Sequence, residues 1–278
     1  MKWEGRRGSD NLEDRRSSTG TAVAGGGVGA LILMVVVWLL GGDPGMMDQF
    51  SESGGTQTEY VATAKEDSLV RFISVVLADT EEIWSDIFRK NGMTYRKPKL
   101  VVFNHSISSA CGNASSATGP FYCPADEKVY IDVSFYDEMK RNYNAKGEFA
   151  LAYVVAHEVG HHVQKLMGTL DKERQISSGL SQKEANKIQV RIELQADFYA
   201  GIWAHYQDKF FGRLDARDIK DAMDAAAGVG DDRIQQQSQG RVVPDSFTHG
   251  TSAQRSNWFY KGYQTGDIRQ GDTFSGQI

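Results

Sequence analysis

The eighteen residues from Phe149 to Leu166, FALAYVVAHEVGHHVQKL, constrain the fold more than any other stretch. Their apolar character predicts a buried helix, with Gly168 as its stop. Inside it lies His157-Glu158-Val159-Gly160-His161, an H-E-x-x-H motif. Residues four apart share a helix face, so both imidazoles can meet one Zn²⁺ while Glu158 points at the same space. Val154, Val155, Ala156, Val159 and Val163 carry no charge and keep the surroundings apolar. A buried helix with two histidines and a glutamate is expensive unless those groups have partners. The plain alternative, a solvent-facing charged turn, does not sit inside FALAYVVA. The helix predicts a metal site.

A catalytic zinc usually takes three protein ligands and leaves one position open. The metzincin pattern would place Gly three and His six residues after the second histidine. Gln164 and Met167 stand there, which closes that branch. His162 points about 100° away on a helix of ~3.6 residues per turn and reads as a surface or supporting histidine. The third ligand is predicted 32 residues beyond His161, in Glu193-Leu194-Gln195-Ala196-Asp197. Glu193 and Asp197 share a face of an amphipathic helix. This resembles the gluzincin arrangement, which implies that Glu193 binds the metal and that Asp197 takes the N–H of His157 and fixes its tautomer.

The rest of the chain reads as one sizeable domain. Of 278 residues, 24% are charged and 40% hydrophobic, which excludes wholesale disorder. The net charge of −5 argues against a nucleic-acid binder that relies on overall positive charge. Two cysteines are too few for a four-thiolate zinc finger. Helices are predicted over residues 61–90, 181–210, 215–227 and 252–263, and strands over 99–103 and 128–133. The class is α+β, helix-dominated, with a small early sheet.

The start of the chain is different in character. No charged residue occurs from Ser17 to Gly42, and Ala22 to Gly42 matches the ~30 Å of a bilayer core. Lys2, Arg6, Arg7, Arg15 and Arg16 precede it, and the next basic residue is Lys65. The positive-inside rule then gives a single-pass anchor in a bacterial cytoplasmic membrane, N-terminus inside and the remainder periplasmic or otherwise extracytoplasmic. A cleaved signal peptide is the competing reading, without a clear cleavage site. The expected layout is a disordered cytoplasmic tail (1–21), a transmembrane anchor (22–42), a linker (43–60) and a folded domain (61–278).

MKWEGRRGSDNLEDRR, CGNASSATGPFYCPADEKVYIDVSF, HEVGHHVQ, RIELQADFYAG and FTHGTSAQR together resemble the bacterial neutral zinc metallopeptidases of the gluzincin-like clan. The first of these segments has no catalytic logic of its own. The resemblance implies a zincin-like domain, one Zn²⁺ ion on His157, His161 and Glu193, and a peptide or protein substrate. It implies Glu158 as general base. His249 becomes a candidate donor to the oxyanion, and Arg255 a candidate to support it or to hold a substrate carbonyl. The strand at 128–133 would be the edge that pairs with substrate. Export and resemblance together favour a disulfide between Cys111 and Cys123, with free thiols or a second metal site as alternatives. Two rival functions share these residues: a zincin-fold module that binds metal or a partner without turnover, and a zinc hydrolase of cell-wall peptide amides.

Overall fold

The computed structural model describes residues 1–17, 60–142, 147–276 and 278. A four-stranded sheet holds β1 (Leu12–Asp14), β2 (Lys99–Phe103), β6 (Lys128–Asp132) and β5 (Phe121–Cys123), in that order. β1, β2 and β6 are parallel, and β5 runs antiparallel to β6. Alternation along β2 and β6 serves two cores. Leu100, Val102, Val129 and Ile131 face the helices, while Val101, Phe103 and Tyr130 face a smaller cluster with Cys123 and Ile107. A hairpin of β3 (Ser106–Ser109) and β4 (Gly112–Ser115) covers that second side. The Cys111–Cys123 disulfide ties the hairpin turn to the end of β5.

The helices are α1 (Ala64–Lys90), α2 (Phe135–Asn142), α3 (Glu148–Leu166), α4 (Thr169–Ser177), α5 (Gln182–Lys209), α6 (Ala216–Gly228), α7 (Asp231–Gln239) and α8 (Ser252–Thr265). Their starts are written locally. Thr63 with Glu66, Ser181 with Glu184 and Thr251 with Gln254 each form a capping box that satisfies backbone N–H groups of the first turn. α5 and α8 meet backbone to backbone: a Cβ on Gly201 would fall 2.0 Å from the Phe259 carbonyl, and one on Gly262 2.0 Å from that of Phe198. Trp84, Trp203, Tyr199, Phe149 and Phe259 fill the space between α1, α3, α5 and α8. The molecule is thus helix-dominated α+β with a small sheet.

Three expectations need correction. Residues 1–17 are not a disordered tail: they are ordered, and Leu12–Asp14 completes the sheet, because polar side chains in this segment find carboxylate and backbone partners on the domain. The strand at 128–133 is not an edge, since β2 and β5 flank it; the edge is β5. The elements β3, β4, β5, α2, α4 and α7 are additional to those read from periodicity, being too short to show a period. Among the described residues no helix is long and apolar enough to cross a membrane, and the stretch 22–42, like the linker up to residue 59, lies outside the described residues.

Candidate metal centre

Two helices build the centre, and on each the relevant residues recur every fourth position. Tyr153, His157 and His161 follow one another along α3; Gln189, Glu193 and Asp197 do so along α5. The helices approach closely because Gly160 lacks a side chain. A Cβ there would lie 2.9 Å from the Ala196 carbonyl oxygen and 3.1 Å from its Cα. Ala196 sits between Glu193 and Asp197, so this contact sets both carboxylates against the histidines.

Glu193 Oε2 lies 3.2 Å from His157 Nε2 and 3.6 Å from His161 Nε2. One ligand atom from each residue lies within 4.8 Å of the others, the only such trio among the described residues. Donors held ~2.0–2.2 Å from one tetrahedral ion sit roughly 3.3–3.6 Å apart, so the set fits Zn²⁺. The far sides of both rings are committed. His157 Nδ1 bonds to Asp197 Oδ1 at 2.8 Å, and His161 Nδ1 to Gln164 Oε1 at 2.9 Å. The Gln164 amide nitrogen donates to the Ile192 carbonyl at 2.8 Å and to Gln195 Oε1 at 3.1 Å, so its oxygen must face the ring. Each Nδ1–H is thereby spoken for, and each Nε2 faces Glu193, the orientation a metal needs.

The charges agree with this. Burial opposes an imidazolium at His157, but Asp197 and Glu193 outweigh it and raise its pKa to about 10. Burial also opposes the Glu193 carboxylate, yet His161 and His157 hold it well below the ordinary range. A buried carboxylate that demands positive neighbours suits a divalent cation, which binds by displacing the ring protons. Asp197 is fully buried; the Arg255 guanidinium and His157 overcome that burial and hold it at about 2.

Arg255 lines the same space as the trio and is bound into the fold. Its Nε donates to Asp197 Oδ2 at 2.8 Å, and its Nη2 to Asp197 Oδ1 at 3.0 Å and Tyr153 Oη at 3.1 Å. The Tyr153 hydroxyl donates in turn to Asp197 Oδ1 at 2.5 Å. Arg255 and Tyr153 therefore brace Asp197, which braces His157. The expectation of a cation at the substrate carbonyl gives way to this ion pair, whose Arg255 side chain is 4% exposed.

His249 does face the cavity. Its loop is gathered around one carboxylate: Asp231 Oδ2 accepts the N–H groups of Thr248 at 2.7 Å, His249 at 2.6 Å and Gly250 at 3.0 Å. Asp231 Oδ1 also lies 3.3 Å from His249 Nδ1. The ring is half exposed and shares a cavity of about 900 Å³ with His157, Glu158, His161 and Glu193. His162, by contrast, is fully buried on the sheet side of α3. Its Nε2 donates to the Arg96 carbonyl at 2.6 Å, and Tyr122 of β5 bonds to its Nδ1 at 3.0 Å. It fastens the metal helix to the edge strand.

Sequence reasoning missed Tyr153, Gln164, Gln189 and Asp231. Two of them had a signal: extending the every-fourth-residue series by one turn reaches Tyr153 on α3 and Gln189 on α5, where Gln189 Nε2 donates to Glu193 Oε1 at 2.9 Å. Asp231 had none, because its partners lie 17 to 19 residues later.

A His-His-Glu trio, buried except for the partly exposed His161, with a further glutamate beside it on the wall of a cavity, defines a metallohydrolase type of centre. The chain belongs to the putative neutral zinc metallopeptidase family, which matches residues 1–274. It is 49% identical over 289 aligned residues to the uncharacterized protein YpfJ of Escherichia coli K12, covering the whole of both chains. It is 47% identical over 191 residues to the uncharacterized protein Rv2575 of Mycobacterium tuberculosis H37Rv, spanning 65% of this chain and 64% of that protein. No solved structure matches. The coarse assignment is a zinc peptidase.

Proposed function

We propose that this protein hydrolyses peptide bonds in a zincin-like domain, at a single Zn²⁺ held by His157, His161 and Glu193. The observation that carries this reading is the convergence of those three ligand atoms in the cavity that Glu158 also lines. Bound zinc supplies a water of pKa about 7 and a polarised carbonyl. Glu158 then acts as general base, taking a proton from the attacking water and passing it to the leaving amine. His249, steadied by Asp231, donates to the oxyanion that develops on the scissile carbonyl. Asp197, Arg255 and Tyr153 keep His157 in the correct tautomer. An extended peptide or protein substrate would add to the free edge of β5, where Phe121 and Tyr122 line the cavity. The domain works outside the cytoplasm, at the membrane, in this reading. The Cys111–Cys123 bond supports the location outside the cytoplasm, since disulfides persist in oxidising compartments, and the uncharged stretch Ala22 to Gly42 supports contact with the membrane.

The test uses the purified full chain with zinc and an unfolded polypeptide. Glu158→Gln should lose activity by ~10²–10⁴-fold while keeping one zinc per chain. Equal cleavage by both proteins would sink the mechanism. Bound zinc with no turnover on polypeptide or peptidoglycan would leave a metal- or partner-binding module. Turnover on peptidoglycan alone would redirect the substrate to cell-wall peptide amides.

A further inference from the structure

The segment MKWEGRRGSDNLEDRR takes no part in the metal centre, yet it is fixed along its whole length. Its first amine bonds to Asp218 Oδ1 of α6 at 2.5 Å, and Lys2 N to the Arg213 carbonyl at 2.9 Å. Trp3 packs edge-on against Phe72 of α1, ring centroids 5.4 Å apart, and its Nε1 donates to Glu148 at the start of α3 at 3.1 Å. Arg6 pairs with Asp79 of α1, a carboxylate 2% exposed that Arg213 also meets at 3.1 Å. Ser9 and Asn11 both bond to Glu81, itself 2% exposed. Gly8 lies so near α1 that a Cβ would stand 2.4 Å from Ser74 Oγ. Then β1 joins β2, flanked by Leu100 N to the Asn11 carbonyl at 3.0 Å and Arg15 N to the Val102 carbonyl at 2.8 Å.

We infer that residues 1–17 are an integral strap of the catalytic domain, and that strap and metal centre occupy one compartment. Backbone hydrogen bonds between β1 and β2 cannot form through ~30 Å of hydrocarbon, so a docked strap and a single crossing exclude each other. The basic flank that suggests a cytoplasmic N-terminus has another use. Arg6 pairs with Asp79, Arg7 with Asp10, Arg15 with Glu13, and Arg16 with Asp14 and Asp67. These arginines neutralise carboxylates of the strap and of α1. Together they replace the orientation in which the N-terminus stays inside and the domain lies outside. The docking does not involve the metal site's chemistry.

The experiment labels the full-length protein in bacterial spheroplasts with a membrane-impermeant thiol reagent. One variant carries Glu4→Cys in the strap, exposed in the fold, and another Ile176→Cys on α4, also exposed. A second pair, Asp10→Cys and Phe210→Cys, guards against a variant that misfolds. Modified residues are assigned by mass spectrometry, which separates them from Cys111 and Cys123, and lysed cells give full labelling for reference. Strap and domain positions should be labelled alike, both modified or both protected until lysis. Labelling of the domain position with a protected strap position, or the reverse, in both pairs would overturn the inference.

Discussion

The metal centre and the N-terminal strap are both held by buried charge, but they are written into the sequence differently. At the centre, the partners repeat at a helical interval along α3 and α5, and one close contact at Gly160 brings the two series together. In the strap, several polar groups meet distant partners that nothing local announces: Arg6 finds Asp79, Asn11 finds Glu81, and the first amine finds Asp218. Periodic sites reveal themselves to a reader of sequence. Docked segments of irregular sequence look like solvated tails until their partners are seen.

The largest effect that sharpens this contrast is at the centre. Glu193→Ala should abolish stoichiometric zinc and with it activity, whereas His162→Ala, one residue beyond a ligand but facing Tyr122, should keep its zinc in elemental analysis. Retained zinc in Glu193→Ala would mean that the third ligand is misassigned. Next comes Arg255→Gln, which leaves the Asp197 carboxylate buried without its cation. Losing one member of a buried pair costs about 3–5 kcal/mol, readable by denaturant unfolding, and disturbing a ligand's supporting partner weakens metal binding by ~10–100-fold. Unchanged zinc affinity would reduce Arg255 to a purely structural role.

The strap should respond in the opposite pattern. Trp3→Ala removes the contact with Phe72 and the bond to Glu148, and should lower stability by about 1–3 kcal/mol with zinc stoichiometry unchanged. No shift in the melting temperature would break the comparison. The smallest effect is a pH dependence. Burial raises the Glu13 carboxyl, but its bonds to Lys99, Arg15 and Lys128 outweigh it and lower its pKa from 4.5 to about 2. A depressed folded-state pKa stabilises the docked form fully above 4.5, and the contribution is lost as pH falls through about 2. Amide protection factors in the strap, taken relative to intrinsic exchange at each pH, should therefore fall across that window, and less steeply in Glu13→Gln.

Much of the fold was legible. The boundaries of α3, α5 and α8 follow from apolar spacing and from capping residues such as Ser181 and Thr251, because helix signals are local. His157, Glu158, His161 and Glu193 were legible for the same reason, and Asp197 followed from its place one turn beyond Glu193. What stayed hidden depended on tertiary context. Arg255 looked available, since nothing near it in sequence forecasts a bidentate bond to a residue 58 positions earlier. The strand at 128–133 looked like an edge because the three-residue strand that flanks it is too short to show alternation. The pairing of Arg6 and Arg16 with carboxylates of α1 was hidden too, because Asp79 and Asp67 lie far along the chain.

The placement of β1 has one more consequence, for how the sheet meets other polypeptides. Without the strap, β2 would present an open row of amide and carbonyl groups beside an apolar core, an invitation to stray chains and to aggregation. β1 closes that side with a short, acidic strand, Leu12-Glu13-Asp14. The opposite margin, at β5, has no further strand beside it among the described residues. Three residues of β1 thus decide which margin of the sheet keeps its backbone groups unpaired by another strand.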